Sequence, residues 1–225
     1  MFSRVLPSAV LLSSTKAVTN DLHLVVLGYI QRDVGSVLED VNIHDVNEEE
    51  DFGDTALTLA VNYQDADMVA TLVNDARIDI NRANSDGETP LEIAVGQEDA
   101  VVVAILVNDP RIDINRANSA GWTPLEIAVQ QGDATVVAIL VNDPRTNINQ
   151  VNRANSYGET PLEIAVRQED AFVVEILVND PRIDINRANR YGVTPLEIAV
   201  GNGYANIIAI LRHVPHLVTD SEESN

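Results

Sequence analysis

The chain of 225 residues has no cysteine at all. A disulfide framework and a thiolate metal site are both excluded. Aromatic residues are few, nine in all, and Lys16 stands alone against thirteen arginines. A lysine-poor chain could suit an adaptor that escapes ubiquitin attachment. That reading loses weight because Arg77, Arg111, Arg145 and Arg182 are one choice copied, as are Arg82, Arg116, Arg153 and Arg187. No apolar run approaches the ~18 residues of a membrane span; Leu22 to Ile30 is among the longest and carries His23. Basic residues number 14 against 35 acids, a formal net charge of −21. Binding to a phosphate backbone needs clustered Lys and Arg and is not expected. A partner with a basic surface and salt-sensitive association is. The chain also lacks a nucleophile elbow, a phosphate-binding loop and a zinc motif. No enzyme, cofactor or metal is therefore expected. His213 and His216 have ligand spacing only on a helix that Pro215 should interrupt, and no third ligand accompanies them.

What the chain has instead is repetition. Thr89-Pro90-Leu91-Glu92-Ile93-Ala94-Val95 recurs from Thr123, Thr160 and Thr194, after a worn copy from Thr55. The intervals are 34, 34, 37 and 34 residues. Recurrence at such a period means a stacked array, each unit burying its apolar face against its neighbours. Within a unit, Thr89 reads as a helix N-cap and Pro90 as the first helical residue. Glu92, three residues after the cap, completes a capping box. Leu91, Ile93, Ala94 and Val95 form the apolar face of a short first helix. After the corner Gly96-Gln97-Glu98-Asp99, a second helix is expected over Ala100 to Val107, apolar nearly all round because neighbours sandwich it. Pro110 stops it. An extended finger then leads to Gly121, which can take positive φ at a tight tip. The three extra residues of the 37-residue interval lie around Gln150-Val151-Asn152, where a longer finger should absorb them.

Helix, corner, helix and extended finger, with T-P-L, the small Ala94 and endings such as Ile80-Asn81, closely resemble the ankyrin repeat. The resemblance covers about residues 20 to 214. It implies an all-α solenoid of helix-turn-helix units joined by β-hairpin-like fingers, and a non-catalytic protein-binding role as adaptor or scaffold. Two departures stand out. Glu92, Glu126, Glu163 and Glu197, with Thr58 in the first copy, replace the family's usual His, and the unit runs to 34 residues rather than 33. The organisation expected is an acid-free, basic arm over 1–19, a degenerate capping repeat over 20–50, five repeats over 51–214 and an acidic tail over 215–225. The polar Asn206, Arg212 and His213 suit a C-terminal cap facing water. The arm reads two ways: a transit-type segment rich in serine, or a flexible or capping extension. The placement expected is accordingly cytoplasmic, or organellar as a subunit of a larger assembly. By itself the chain is expected to be a monomer.

The resemblance implies binding through finger tips and the concave face of the first helices. Near-identical copies in this chain differ mainly at those places. The candidate partner-binding residues are Phe52, Asp86, Glu88, Trp122, Tyr157, Glu159 and Tyr191 at tips, with Tyr63, Gln131 and Arg167 at corners. Exposed aromatics enrich interface hot spots; the bland alternative lays each ring against its neighbouring finger. The four glutamates should line up along the array, either to meet a cation or basic groove or simply to cap their own helices.

Overall fold

A computed structural model describes residues 54–150 and 158–213. The expected arm, capping repeat and tail lie outside these residues, as do Phe52, Tyr157 and His216. Ten helices follow in pairs: α1 Ala56–Asn62 and α2 Ala66–Asn74, α3 Pro90–Gly96 and α4 Ala100–Val107, α5 Pro124–Gln131 and α6 Ala134–Asn142, α7 Pro161–Arg167 and α8 Ala171–Val178, α9 Pro195–Asn202 and α10 Ala205–Arg212. No strand occurs among the described residues.

Each first helix begins where the sequence says it should. Thr55, Thr89, Thr123, Thr160 and Thr194 sit in extended backbone and accept from the amide three residues on. Prolines occupy the first helical position of α3, α5, α7 and α9, where no N–H is needed. Second helices start on aspartates: Asp65, Asp99, Asp133 and Asp170 accept from amides of the first turn. Tyr204 takes that position in the last unit and makes no side-chain cap.

First helices stack side by side in one layer and second helices in another, each pair also packing internally. The core runs continuously between the layers. Leu57, Leu91, Leu125 and Leu162 descend from the first helices, while Leu106, Leu140 and Leu177 face them from the second, all essentially buried. Burying each such leucine is worth about 1.5–3 kcal/mol. Because every interface repeats, the array is stabilised unit by unit.

One expectation needs correcting here. The second helices are not sandwiched all round: Val102, Val103, Leu106 and Val107 of α4 are buried, but Val101 is 62% exposed. Neighbours and the first-helix layer cover only part of the circumference, so Val101 faces outward while Ala100 and Ile105 stay partly buried against the core.

Candidate functional site

The finger tips are held by asparagine. At Asn118 the backbone N–H donates to the Trp122 carbonyl at 2.9 Å, and the Gly121 N–H donates back to the Asn118 carbonyl at 2.9 Å. The Asn118 Oδ1 accepts from the Ala120 and Trp122 amides at 3.0 and 2.9 Å. Asn84 and Asn189 build the same turn. Gly87, Gly121 and Gly192 take φ of 84°, 87° and 76°, which only glycine adopts without strain.

Two polar rows tie each finger to the next. Asn81 Nδ2 donates to the Arg111 carbonyl and its Oδ1 accepts from the Asp113 amide, both at 2.8 Å. Asn115 repeats this with Arg145 and Asn147, and Asn149 with Arg182 and Asp184. The 37-residue interval therefore leaves the row unbroken, its extra residues following Asn149. The arginine row works across units as well. Arg145 reaches the Val107 and Asp109 carbonyls at the end of α4, at 2.5 and 3.1 Å, while pairing with Asp143 at 2.6 Å. Arg111 and Arg182 do the same at the ends of α2 and α6. Their guanidinium hydrogen bonds hold Asp109, Asp143 and Asp180 below the usual carboxylate range. A cation at a helix C-terminus satisfies orphan carbonyls and the helix dipole together. None of this was read from the sequence, although Arg and Asn recurring at fixed offsets from each cap were its signal.

Three of the four glutamates resolve in favour of capping, whereas at Glu92 the expected box is only half made: Thr89 accepts from the Glu92 amide, and the return bond to the cap amide is not formed. Glu126, Glu163 and Glu197 each accept from the amide of their own threonine at 2.8 Å, and Thr58 plays this part in the first copy. Glu126 and Glu163 are wholly buried, so at these two positions the cation or basic-groove reading fails: nothing outside can reach them. Burial pushes both carboxyls up, Glu163 to about 7, with Glu159 adding to the rise and Arg167 opposing it. Glu92, half-buried, is raised by desolvation, with Asn118 and the Thr89 backbone drawing it back. Among the described residues no group of three or more His, Cys, Asp or Glu is placed to hold a metal.

The candidate binding residues divide. Asp86 and Glu88 are exposed at their tip, the Glu88 carboxylate accepting from Asn84 Nδ2. Tyr191 is 67% exposed at its tip and Tyr63 54% at its corner. Trp122 is only half-buried, packed against the core beneath its finger, so the tip geometry turns its ring inward. Glu159 is buried and ion-paired with Arg167, which removes it as an exposed contact and uses part of the Arg167 charge. Gln131 stays exposed but donates to the Gly96 carbonyl at 3.0 Å; Gln168 makes the matching bond to Gln130. What remains open to a partner is an edge of acids and tyrosines on a repeated frame.

Comparison with known proteins follows the same lines. A family model of ankyrin repeats in three copies matches residues 22–118 and 145–219, and a single-repeat model matches 120–153. Among solved structures, an ankyrin repeat protein, EF0377, is 26% identical over 87% of this chain and 98% of its own, with a TM-score of 0.72. The ankyrin repeat domain of Bcl-3, a member of the IkappaB family, is 21% identical over 89% of this chain and 84% of its own, with a TM-score of 0.69, a likeness in fold alone. No curated protein sequence matches.

Proposed function

Because the chain belongs to the ankyrin repeat family, we propose that it is a non-catalytic protein-binding module, an adaptor or scaffold that takes a basic partner along its finger tips and corners. The observation that carries this reading is the division of labour within each unit. Asparagine, arginine and threonine rows hold one frame throughout, while Asp86, Glu88, Tyr63 and Tyr191 vary between units and face water. Exposed side chains on a rigid scaffold lose little conformational freedom on binding. With a formal charge of −21, a basic partner would be steered in and its association would slow as salt rises. No described helix is long and apolar enough to cross a membrane. A cytoplasmic placement is the reading kept for the module.

The test is affinity capture with the intact chain, then calorimetry of the captured partner against Tyr191→Ala and Tyr63→Ala. Each should weaken binding by about 1–3 kcal/mol, the range for an aromatic anchor. Melting should stay unchanged, because both rings are largely exposed. Normal binding by both variants would move the contact off this edge.

A further inference from the structure

The residues leading into each cap threonine change charge along the chain. Residues 47–54 hold Glu48, Glu49, Glu50, Asp51 and Asp54 and no base; residues 81–88 hold Asp86 and Glu88 against Arg82. Residues 186–193 hold Arg187 and Arg190 and no acid. In a chain of −21 the finger-tip edge therefore turns basic at its last unit. The geometry sharpens the contrast. Asp86 and Glu88 are exposed at one end. In between, Arg116 donates to the Asn81 carbonyl at 2.8 Å and draws the Glu92 carboxyl down, while Glu159 is buried against Arg167. At the other end Arg187, in the place of Arg116, is exposed and bonds to no described residue. Arg190 stands where sister tips have Ser85 and Ser119. It lies across Gly158 of the preceding finger, where an added Cβ would come 2.7 Å from its Cγ and Nε. Arg190 is nonetheless exposed, next to Tyr191 at 67%. The acids nearest in sequence are turned to their own backbone: Asp184 accepts from the Asn186 amide at 3.2 Å and Glu197 from the Thr194 amide at 2.8 Å.

A uniform polyanion would meet Asp86 and Glu88 at one end of this edge, and a uniformly basic segment would meet two arginines at the other. Like charges brought together cost affinity and suppress wrong partners. We propose, on the premise that this edge is the binding surface, that it takes an extended protein segment of mixed charge, with basic residues on Asp86 and Glu88 and carboxylates on Arg187 and Arg190. The anionic half of the partner and its direction are thereby added to the basic half. Three stacking steps, α3 to α9, separate the two ends, about 24–30 Å at the spacing of packed helices. An extended chain advances about 3.3–3.6 Å per residue, so the opposite charges stand about seven to nine residues apart. A guanidinium fork holds a carboxylate by two parallel hydrogen bonds, which fixes geometry as well as charge. Tyr191 supplies an apolar ring beside it. The charge of the whole chain steers the basic end in, and the arginines decide which way round the segment lies.

The probe is a displayed library of random peptides long enough to span both ends, selected at low salt on the intact chain. Enriched peptides should carry Lys or Arg at one end and Asp or Glu about seven to nine residues away, always in one order. Arg187→Glu together with Arg190→Glu should weaken them about tenfold or more, because like charges then face each other. The same peptides with lysine in place of their acids should bind that double variant and not the wild type. Arg190→Met keeps the stem over Gly158 without the charge, and should weaken binding by less than the double variant. Both arginines are exposed, so melting should be unchanged. Enrichment of basic residues without acids at this spacing would overturn the mixed-charge partner and leave the basic partner standing. So would paired charges whose binding ignores the arginine variants but yields to Asp86→Lys with Glu88→Lys. Peptides that ignore both sets of variants would move the contact off the edge and overturn both readings.

Discussion

The third and last T-P-L copies, from Thr160 and Thr194, have identical sequence and opposite surroundings. Both Thr160 and Thr194 cap a helix, and both Glu163 and Glu197 return a carboxylate to the cap amide at 2.8 Å. Yet Glu163 is wholly buried and its carboxyl is pushed up to about 7, while Glu197 is exposed and its hydrogen bonds from Thr194 hold it below the usual value. The valines diverge likewise: Val166 is fully buried and Val200 is 50% exposed. Local sequence decides the helix and its cap. The unit stacked on top decides how much each residue is worth.

The largest way to break this comparison is to remove a leucine from each copy. Leu162 is fully buried, and Leu162→Ala should cost about 2–5 kcal/mol, the transfer loss plus the cavity left behind. Leu196 is half-buried at the open end, where surroundings can collapse and water already reaches. Leu196→Ala should cost clearly less by urea denaturation. Equal losses would mean that the last unit is covered as fully as the others.

Next in size is the dependence on pH. Above about pH 7 the folded chain holds the Glu163 carboxylate out of water, a cost the unfolded chain does not bear. As pH falls towards 4.5 only the folded state gains the proton, so stability from this group rises, and it is lost again as pH climbs through 7. The displacement corresponds to about 3 kcal/mol as an upper figure. Glu197 works the other way: its contribution is present above the unfolded value and is lost as pH falls through its lowered one. Glu163→Gln should flatten the decline in stability between pH 5 and 7.5, and Glu197→Gln should not. Parallel pH profiles for wild type and Glu163→Gln would show that burial does not control this carboxyl.

A smaller effect belongs to the cap itself. Thr123→Ala removes the bond to the Glu126 amide and should cost about 0.5–2 kcal/mol. The penalty should exceed that of Thr194→Ala, because water can satisfy the amide at the open end. In a double-mutant cycle Thr123 and Glu126 should couple, since one reciprocal pair contains both; strict additivity would count against the box.

Much of this was legible before any coordinates. Thr, Pro and Glu at fixed spacing placed the first helices, aspartates placed the second, and glycines placed the tips, because those signals act within four or five residues. Relations between units were not legible. Arg145 looks like a surface charge until Val107, 38 residues earlier, is seen beneath it. Glu159 reads as a variable tip residue until its burial and its pairing with Arg167 are known. Trp122 as the only tryptophan invites a binding role, yet its finger folds the ring onto the core. Apolar periodicity in α4 cannot say which apolar residues find a neighbour, so Val101 and Val102 look alike in sequence and differ from 62% to 0% exposed.

The smallest effect isolates the neighbour most cleanly. Gly132 and Gly203 close the same corner, both at φ 76°, in a middle unit and in the last. Alanine at either suffers the same left-handed penalty, about 1–2 kcal/mol for an ordinary residue. At Gly203 the added Cβ meets nothing within 4 Å. At Gly132 it comes 3.1 Å from Asp170 Oδ2, on the side chain that caps α8 through the Val173 amide. Turning that carboxylate aside relieves the contact but weakens the cap, so Gly132→Ala should cost more than Gly203→Ala by about 0.5–1 kcal/mol. Glu98 and Glu169 hold the same left-handed corner at φ 57° and 58°, so the fold tolerates a side chain there. The shared backbone penalty cancels in the difference, which leaves only what the adjacent unit contributes. Equal melting shifts for the two alanines would mean that Asp170 moves without loss, and that the stacked neighbour has no influence on this corner.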